Sequence, residues 1–122
     1  MSAPKKRKIK TMAQKNSVGA ETLATFAGSS LSTSFQAVNS GFANPCFLLR
    51  FINETNLDVT ISYDGSTAND VIKAGTTAEI YTQQNALPAS NIALFRKGTT
   101  VYVKSTGAGT GSLYLAGYYQ QD

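Results

Sequence analysis

The chain contains no histidine, no tryptophan, one cysteine (Cys46) and three prolines. Without histidine there is no Ser–His or Cys–His pair to activate a nucleophile, and no imidazole–thiolate set for a soft metal. A lone cysteine excludes an intramolecular disulfide framework. No apolar run approaches the roughly 18–20 residues of a membrane helix. The basic N-terminus lacks the following apolar stretch of a secretory signal. Carboxylates and lysines remain, but these gaps point to a protein that is not an enzyme, with no catalytic, cofactor-binding or metal site and no membrane partner.

Acid is also missing from one end. Residues 1–15 carry Lys5, Lys6, Arg7, Lys8, Lys10 and Lys15 and no carboxylate, so this segment is +6. The other five basic and seven acidic groups leave residues 16–122 at −2. A basic tail is thus attached to a mildly acidic body. Residues 1–30 are otherwise small and polar, with isolated Val18, Leu23 and Phe26. The spacing of Val18, Thr22, Thr25 and Phe26 suits one helical turn, but Gly19 and Gly28 weaken it. The expectation is an extended arm over residues 1–30, disordered when free and reaching on the order of 100 Å.

What the chain does have is β-patterning from residue 31 onward. It is densest in Phe47–Gly65, FLLRFINETNLDVTISYDG. Phe47–Ile52 is apolar on both faces, the mark of a well-buried strand. Leu57, Val59, Ile61 and Tyr63 alternate with Asp58, Thr60 and Ser62, and Asp64-Gly65 closes the unit as a turn. Further alternation predicts strands within Leu31–Val38, Val71–Lys73, Ala78–Thr82, Ile92–Phe95, Thr99–Lys104 and Leu113–Tyr119. Gln83–Ser90 reads as a longer loop and Ser105–Ser112 as a glycine-rich, hairpin-like connection. Seven or eight short strands without a helix predict an all-β fold over residues 31–122. An antiparallel β-sandwich or small jelly-roll-like barrel fits best. The expected core is Phe47, Leu49, Phe51, Val59, Ile61, Ile80, Leu94, Val101, Val103 and Leu115.

Few motifs carry chemistry. Pro4-Lys5-Lys6-Arg7-Lys8 has the composition of a nuclear-import cluster. The same lysines suit phosphate backbones, an acidic protein surface, or no partner beyond solvent. No aromatic residue interleaves with them, which disfavours a base-stacking platform. Gly107–Gly111 lacks the lysine and helix of a phosphate loop. Asp64 is explained by its turn, Asp58 by the solvent face of its strand, and Cys46 by a small buried site at a strand start. Tyr114, Tyr118 and Tyr119 form a tyrosine-rich last strand suited to ordinary strand packing, an intersubunit contact or a sugar-stacking surface.

The order of these pieces resembles that of small β-sandwich structural proteins of tailed bacteriophage virions, of the head, neck or tail accessory type. The resemblance rests on Leu49–Thr55, Val59–Gly65, Val71–Thr76, Lys97–Lys104 and Gly109–Leu115, and covers roughly Asn44 to Tyr119. It implies a virion component, assembled in the host cytoplasm and present in several copies, with other virion proteins as partners and no catalytic residues. The basic arm lies outside the pattern. It is expected to anchor to neighbouring subunits or to contact packaged nucleic acid. The alternative functions are a nucleic-acid-binding module using the tail and a carbohydrate- or receptor-binding module using the tyrosines.

Overall fold

The computed structural model describes residues 17–82 and 93–121 and places nine strands in two antiparallel sheets. The strands are β1 (Ser17–Ala20), β2 (Ala24–Ala27), β3 (Gln36–Ala37), β4 (Leu48–Asn53), β5 (Val59–Ser62), β6 (Asp70–Ile72), β7 (Thr77–Tyr81), β8 (Tyr102–Lys104) and β9 (Ser112–Gln121). Sheet A has the order β1-β9-β4-β7, with β2 also on β9; sheet B has the order β3-β8-β5-β6. The fold is therefore the all-β, two-sheet sandwich that the alternation predicts. Among the described residues the helical content is a single 3₁₀ turn, Gly28–Ser30.

The period-two pattern fixes which side chains face the gap between the sheets. From sheet A, Leu49 and Phe51 of β4 and Leu113 and Leu115 of β9 point inward. From sheet B, Val59 and Ile61 of β5, Ile72 of β6 and Val103 of β8 meet them. Leu31, Phe42, Cys46 and Val101 complete the buried cluster. Leu94, expected inside, is 48% exposed, while Ile80 is partly buried against the cluster. Leu94 falls outside because, among the described residues of its run, only Phe95 pairs, in an isolated bridge to Cys46. The Ile92 end of that run, the Gln83–Ser90 loop and the basic cluster lie outside the described residues.

The two dense runs of the opening stretch belong to different sheets. β4 pairs with β7 and β9, whereas β5 pairs with β6 and β8. The short link between them carries the chain across the core. Asn53 organises this crossing: its Nδ2 donates to the carbonyls of Leu57 and Ile72, each at 3.0 Å. Its Oδ1 accepts from the Thr55 amide and hydroxyl.

The glycine-rich stretch likewise crosses between sheets, from β8 to β9, rather than closing a hairpin. It packs tightly there. Gly28 N–H donates to Gly111 O, Gly109 N–H to Gly28 O, and Thr110 N–H to Asn56 Oδ1. Gly111 adopts φ +78°, and a side chain on it would collide with the Glu54 carbonyl. Glycine is required at that position by both backbone conformation and space.

Residues 17–27, within the segment expected to be an arm, run extended along the whole of β9. β1 lies against Tyr118–Gln121 and β2 against Ser112–Leu115. Between the Ala20↔Tyr118 and Ala24↔Leu115 pairs, three residues oppose two, which is a β-bulge. Its first residue is Glu21.

Candidate functional site

The six cationic residues expected to make contacts, Lys5, Lys6, Arg7, Lys8, Lys10 and Lys15, lie outside the described residues. What the structure describes is the place where that segment joins the body. Ser17 pairs with Gln121 at the end of β9, and the chain then follows β9 back through the bulge. Glu21 N–H donates to Gly117 O at 2.8 Å. The Glu21 side chain crosses the face of Gly117, where the absence of a Cβ leaves room for it beside Phe42 and Cys46. Its two carboxylate oxygens accept from Ala43 N–H and Asn44 Nδ2, each at 2.8 Å. One acidic side chain thus ties the N-terminal strand to the loop before β4.

A groove of about 560 Å³ opens beside this clamp, between Thr22–Ala24 and the Ala37–Ala43 loop. Its charged group is Glu21, whose oxygens are already engaged. The adjoining Cys46 has no exposed surface, and burial followed by the nearby Glu21 charge pushes its thiol up to about 11. At neutral pH it is a protonated core residue, donating to Asn44 O, and not a nucleophile.

The three tyrosines of β9 divide between the two faces of sheet A. Tyr119 turns inward, its ring lying over Gly19 and packed against the core. Tyr114 and Tyr118 face outward. Cross-strand register places three rows on this outer face: Tyr81, Leu48 and Tyr118; Glu79, Arg50 and Ala116; Thr77, Ile52 and Tyr114. Arg50 is at the centre. Its Nε donates to Glu79 Oε2 at 2.8 Å, and Nη1 donates to the Tyr118 hydroxyl at 3.2 Å. The guanidinium carbon lies 5.4 Å from the Tyr118 ring centroid, a cation–π distance. Tyr81 donates to the other Glu79 oxygen at 3.0 Å.

The electrostatics follow from that chain of contacts. The hydrogen bond from Arg50 holds the Glu79 carboxyl below its usual range, with a smaller contribution from Tyr81. Glu79 in turn raises the Tyr81 hydroxyl and the Arg50 guanidinium. These shifts keep Arg50 and Glu79 charged and Tyr81 protonated at neutral pH, so the three form a fixed polar network rather than a proton shuttle. Arg50, Glu79 and Tyr81 escaped the sequence reading. The signal that reveals them is the second, outward face of β4, where Arg50 sits between Leu48 and Ile52.

Three further acids, Asp58, Asp64 and Asp70, are used structurally. Asp64 accepts from the Ser66 and Thr67 amides and the Ser62 hydroxyl, which holds its carboxyl far below the usual range. Asp58 accepts from Ala74 N–H and pairs with Lys73. Asp70 accepts from the Tyr63 hydroxyl. Among the described residues no group of three acidic or thiol side chains is placed to hold a metal ion, and no helix is long and apolar enough to cross a membrane.

No family model matches the chain, and no curated protein matches it. Among the solved structures to which it is distantly similar are two. One is Dit of phage SPP1, described as a paradigm of the hub adsorption apparatus in phages infecting Gram-positive bacteria. It is 12% identical, with 84% of this chain and 49% of Dit covered, at a TM-score of 0.39. The chain therefore spans about half the length of that protein. The other is the virus-like particle of the extra small virus of the giant freshwater prawn Macrobrachium rosenbergii. It is 13% identical, with 86% and 80% covered, at a TM-score of 0.40. Both neighbours come from viral particles or their attachment machinery. At that distance the likeness speaks to neither family nor activity.

Proposed function

We propose that this protein is a non-enzymatic structural subunit of a virion, with a β-sandwich body that self-associates and a basic N-terminal segment that anchors it to neighbours. The observation that carries the reading is the attachment of that segment. The +6 stretch continues from a strand laid along the full length of β9, at the edge of sheet A, and locked by Glu21. Tension on the segment would act along a ladder of backbone hydrogen bonds, in shear, and reach the central strands. That is the mechanical requirement of an anchor. The ordered sequence pieces that resemble those of phage structural proteins agree with this role, and a +6 segment would be steered onto an acidic neighbour.

The test is composition and cross-linking of purified particles. The chain is expected in multiple copies, with cross-links from Lys5–Lys15 to another virion protein or a second copy. Particles that contain none of it would refute the proposal. Six cations within fifteen residues also favour a second reading, contact with packaged nucleic acid. That reading requires binding that weakens steeply with salt and vanishes when residues 1–15 are removed.

A further inference from the structure

Building on the reading of a self-associating body, we infer that two copies of this chain join edge to edge, β7 against β7, into one continuous antiparallel sheet. β7 ends the strand order of sheet A and, among the described residues, pairs with β4 alone. Its ladder to β4 is flanked by bonds from Asn53 N–H to Thr76 O and from Thr82 N–H to Phe47 O, both at 2.9 Å. These place the backbone groups of the even-numbered residues toward β4. The alternate residues, Thr77, Glu79 and Tyr81, therefore turn their N–H and C=O groups to the open side. Such a row is a template for another strand, and proteins keep it from pairing with short strands, bulges, prolines or charges. The other sheet ends carry those devices. β3 is two residues long, β6 is three, and the β1–β2 edge is broken by the bulge at Glu21. β7 runs five residues, TAEIY, with neither proline nor lysine. Its single charge, on Glu79, is countered by Arg50 at 2.8 Å.

A second copy is the occupant this edge fits, because one register satisfies both faces of the strand at once. Directly opposed residues share a face, so the core side stays together only when odd positions oppose odd and even oppose even. A two-fold axis through Glu79 would set the two carboxylates against each other, which is destabilising. Axes on Ala78 or Tyr81 leave Ile80 against Thr76 or Thr82. An axis perpendicular to the sheet and centred on Ile80 avoids both faults. It opposes the two Ile80 residues, sets Ala78 against Thr82 and Glu79 against Tyr81, and closes four backbone hydrogen bonds through Glu79 and Tyr81. Ala78 and Ile80 face the core but stay only half-buried in one copy. In this register the two Ile80 side chains cover each other and carry the core across the junction. The pattern is isologous, as a two-fold contact must be. The product has eight strands abreast with β1 at both far edges, roughly 34 Å apart at the ordinary strand spacing. The two +6 segments then leave from opposite ends, clear of the junction.

The register supplies its own test. The opposed Ile80 positions form a non-hydrogen-bonded pair about 4.5 Å apart at Cα, within disulfide range. The two Glu79 positions lie about 8 Å apart, outside it. Ile80→Cys is therefore expected to form a disulfide-linked dimer under mild oxidation at least about tenfold faster than Glu79→Cys or Val71→Cys. Val71, on β6 of the other sheet, is 57% exposed and reports random collision. The native Cys46 has no exposed surface and stays out of the reaction. Tyr81→Pro removes an outward N–H and leaves the β4 ladder whole. Added to the Ile80→Cys chain, it is expected to return cross-linking to the Val71→Cys rate with an unchanged far-ultraviolet circular dichroism spectrum. Should that variant unfold, the comparison of the three cysteine variants decides alone. If Ile80→Cys cross-links no faster than the other two while wild type sediments as a multiple, the body associates through another surface and this inference is overturned. Cross-linking that survives Tyr81→Pro in a folded chain overturns the strand pairing as well. If the wild-type chain is monomeric at every concentration, the self-association on which the inference rests falls with it.

Discussion

Asn53, at the end of β4, is 1% exposed, and both polar atoms of its side chain are engaged. Its amide group donates to carbonyls on the β4–β5 link, on β6 and just beyond it, while its oxygen accepts twice from Thr55. Truncation would strand buried carbonyls and the Thr55 amide without partners, each at about 1–3 kcal/mol if water cannot reach it. Asn53→Ala should therefore lower unfolding stability by about 3 kcal/mol in urea titrations. Asp64 makes a different kind of statement. The Ser66 and Thr67 amides favour its charged form, so its folded pKa lies below its unfolded value. Its contribution is present above the ordinary carboxylate range and is lost as pH falls through the folded value. Acid unfolding should steepen below about pH 4, and Asp64→Asn should flatten that limb; an unchanged limb would remove Asp64 from the account. The sequence shows Asp64 plainly as a turn residue beside Gly65. It gives no sign of the partners of Asn53, because three of its acceptors lie 4 to 20 residues away and become neighbours only when the sheets meet.

At the scale of elements, strands with strong alternation were legible. β4, β5 and β9 fall within two or three residues of their predicted limits, and the two-sided apolar run of β4 correctly marks a central strand. β1 and β2 were not legible. Ser17–Ala20 and Ala24–Ala27 are short and weakly apolar, and their strand character comes from β9, about a hundred residues away. Gly107–Gly111 carried the same ambiguity: glycine announces a bend, but the close approach to Gly28 and Glu54 is a tertiary property. The division of the three C-terminal tyrosines, two outward and Tyr119 inward, was implicit in the alternation and needed only the core to orient it. The docked N-terminal strand yields a prediction by truncation. Removal of residues 1–15 should leave the melting temperature unchanged within about 2 °C. Removal through Ala27 strips the β9 edge and the Glu21 clamp, and should lower the melting temperature by at least about 10 °C or yield aggregated protein. Equal melting of the two truncations would mean that β1 and β2 contribute nothing to the sandwich.

At the scale of the whole molecule, two features stand together: a two-sheet antiparallel sandwich, and a basic segment that continues from a strand on the β9 edge of one sheet. The first supplies a body, and the second a means to reach past it. Asp58, Asp64, Asp70 and Cys46 are held within the fold by the contacts already described. The account stands or falls on self-association of the body. Sedimentation velocity of the full chain across a wide concentration range tests it most directly. The account predicts a concentration-dependent multiple of the 12.9 kDa chain. A single 12.9 kDa species at every concentration would contradict it.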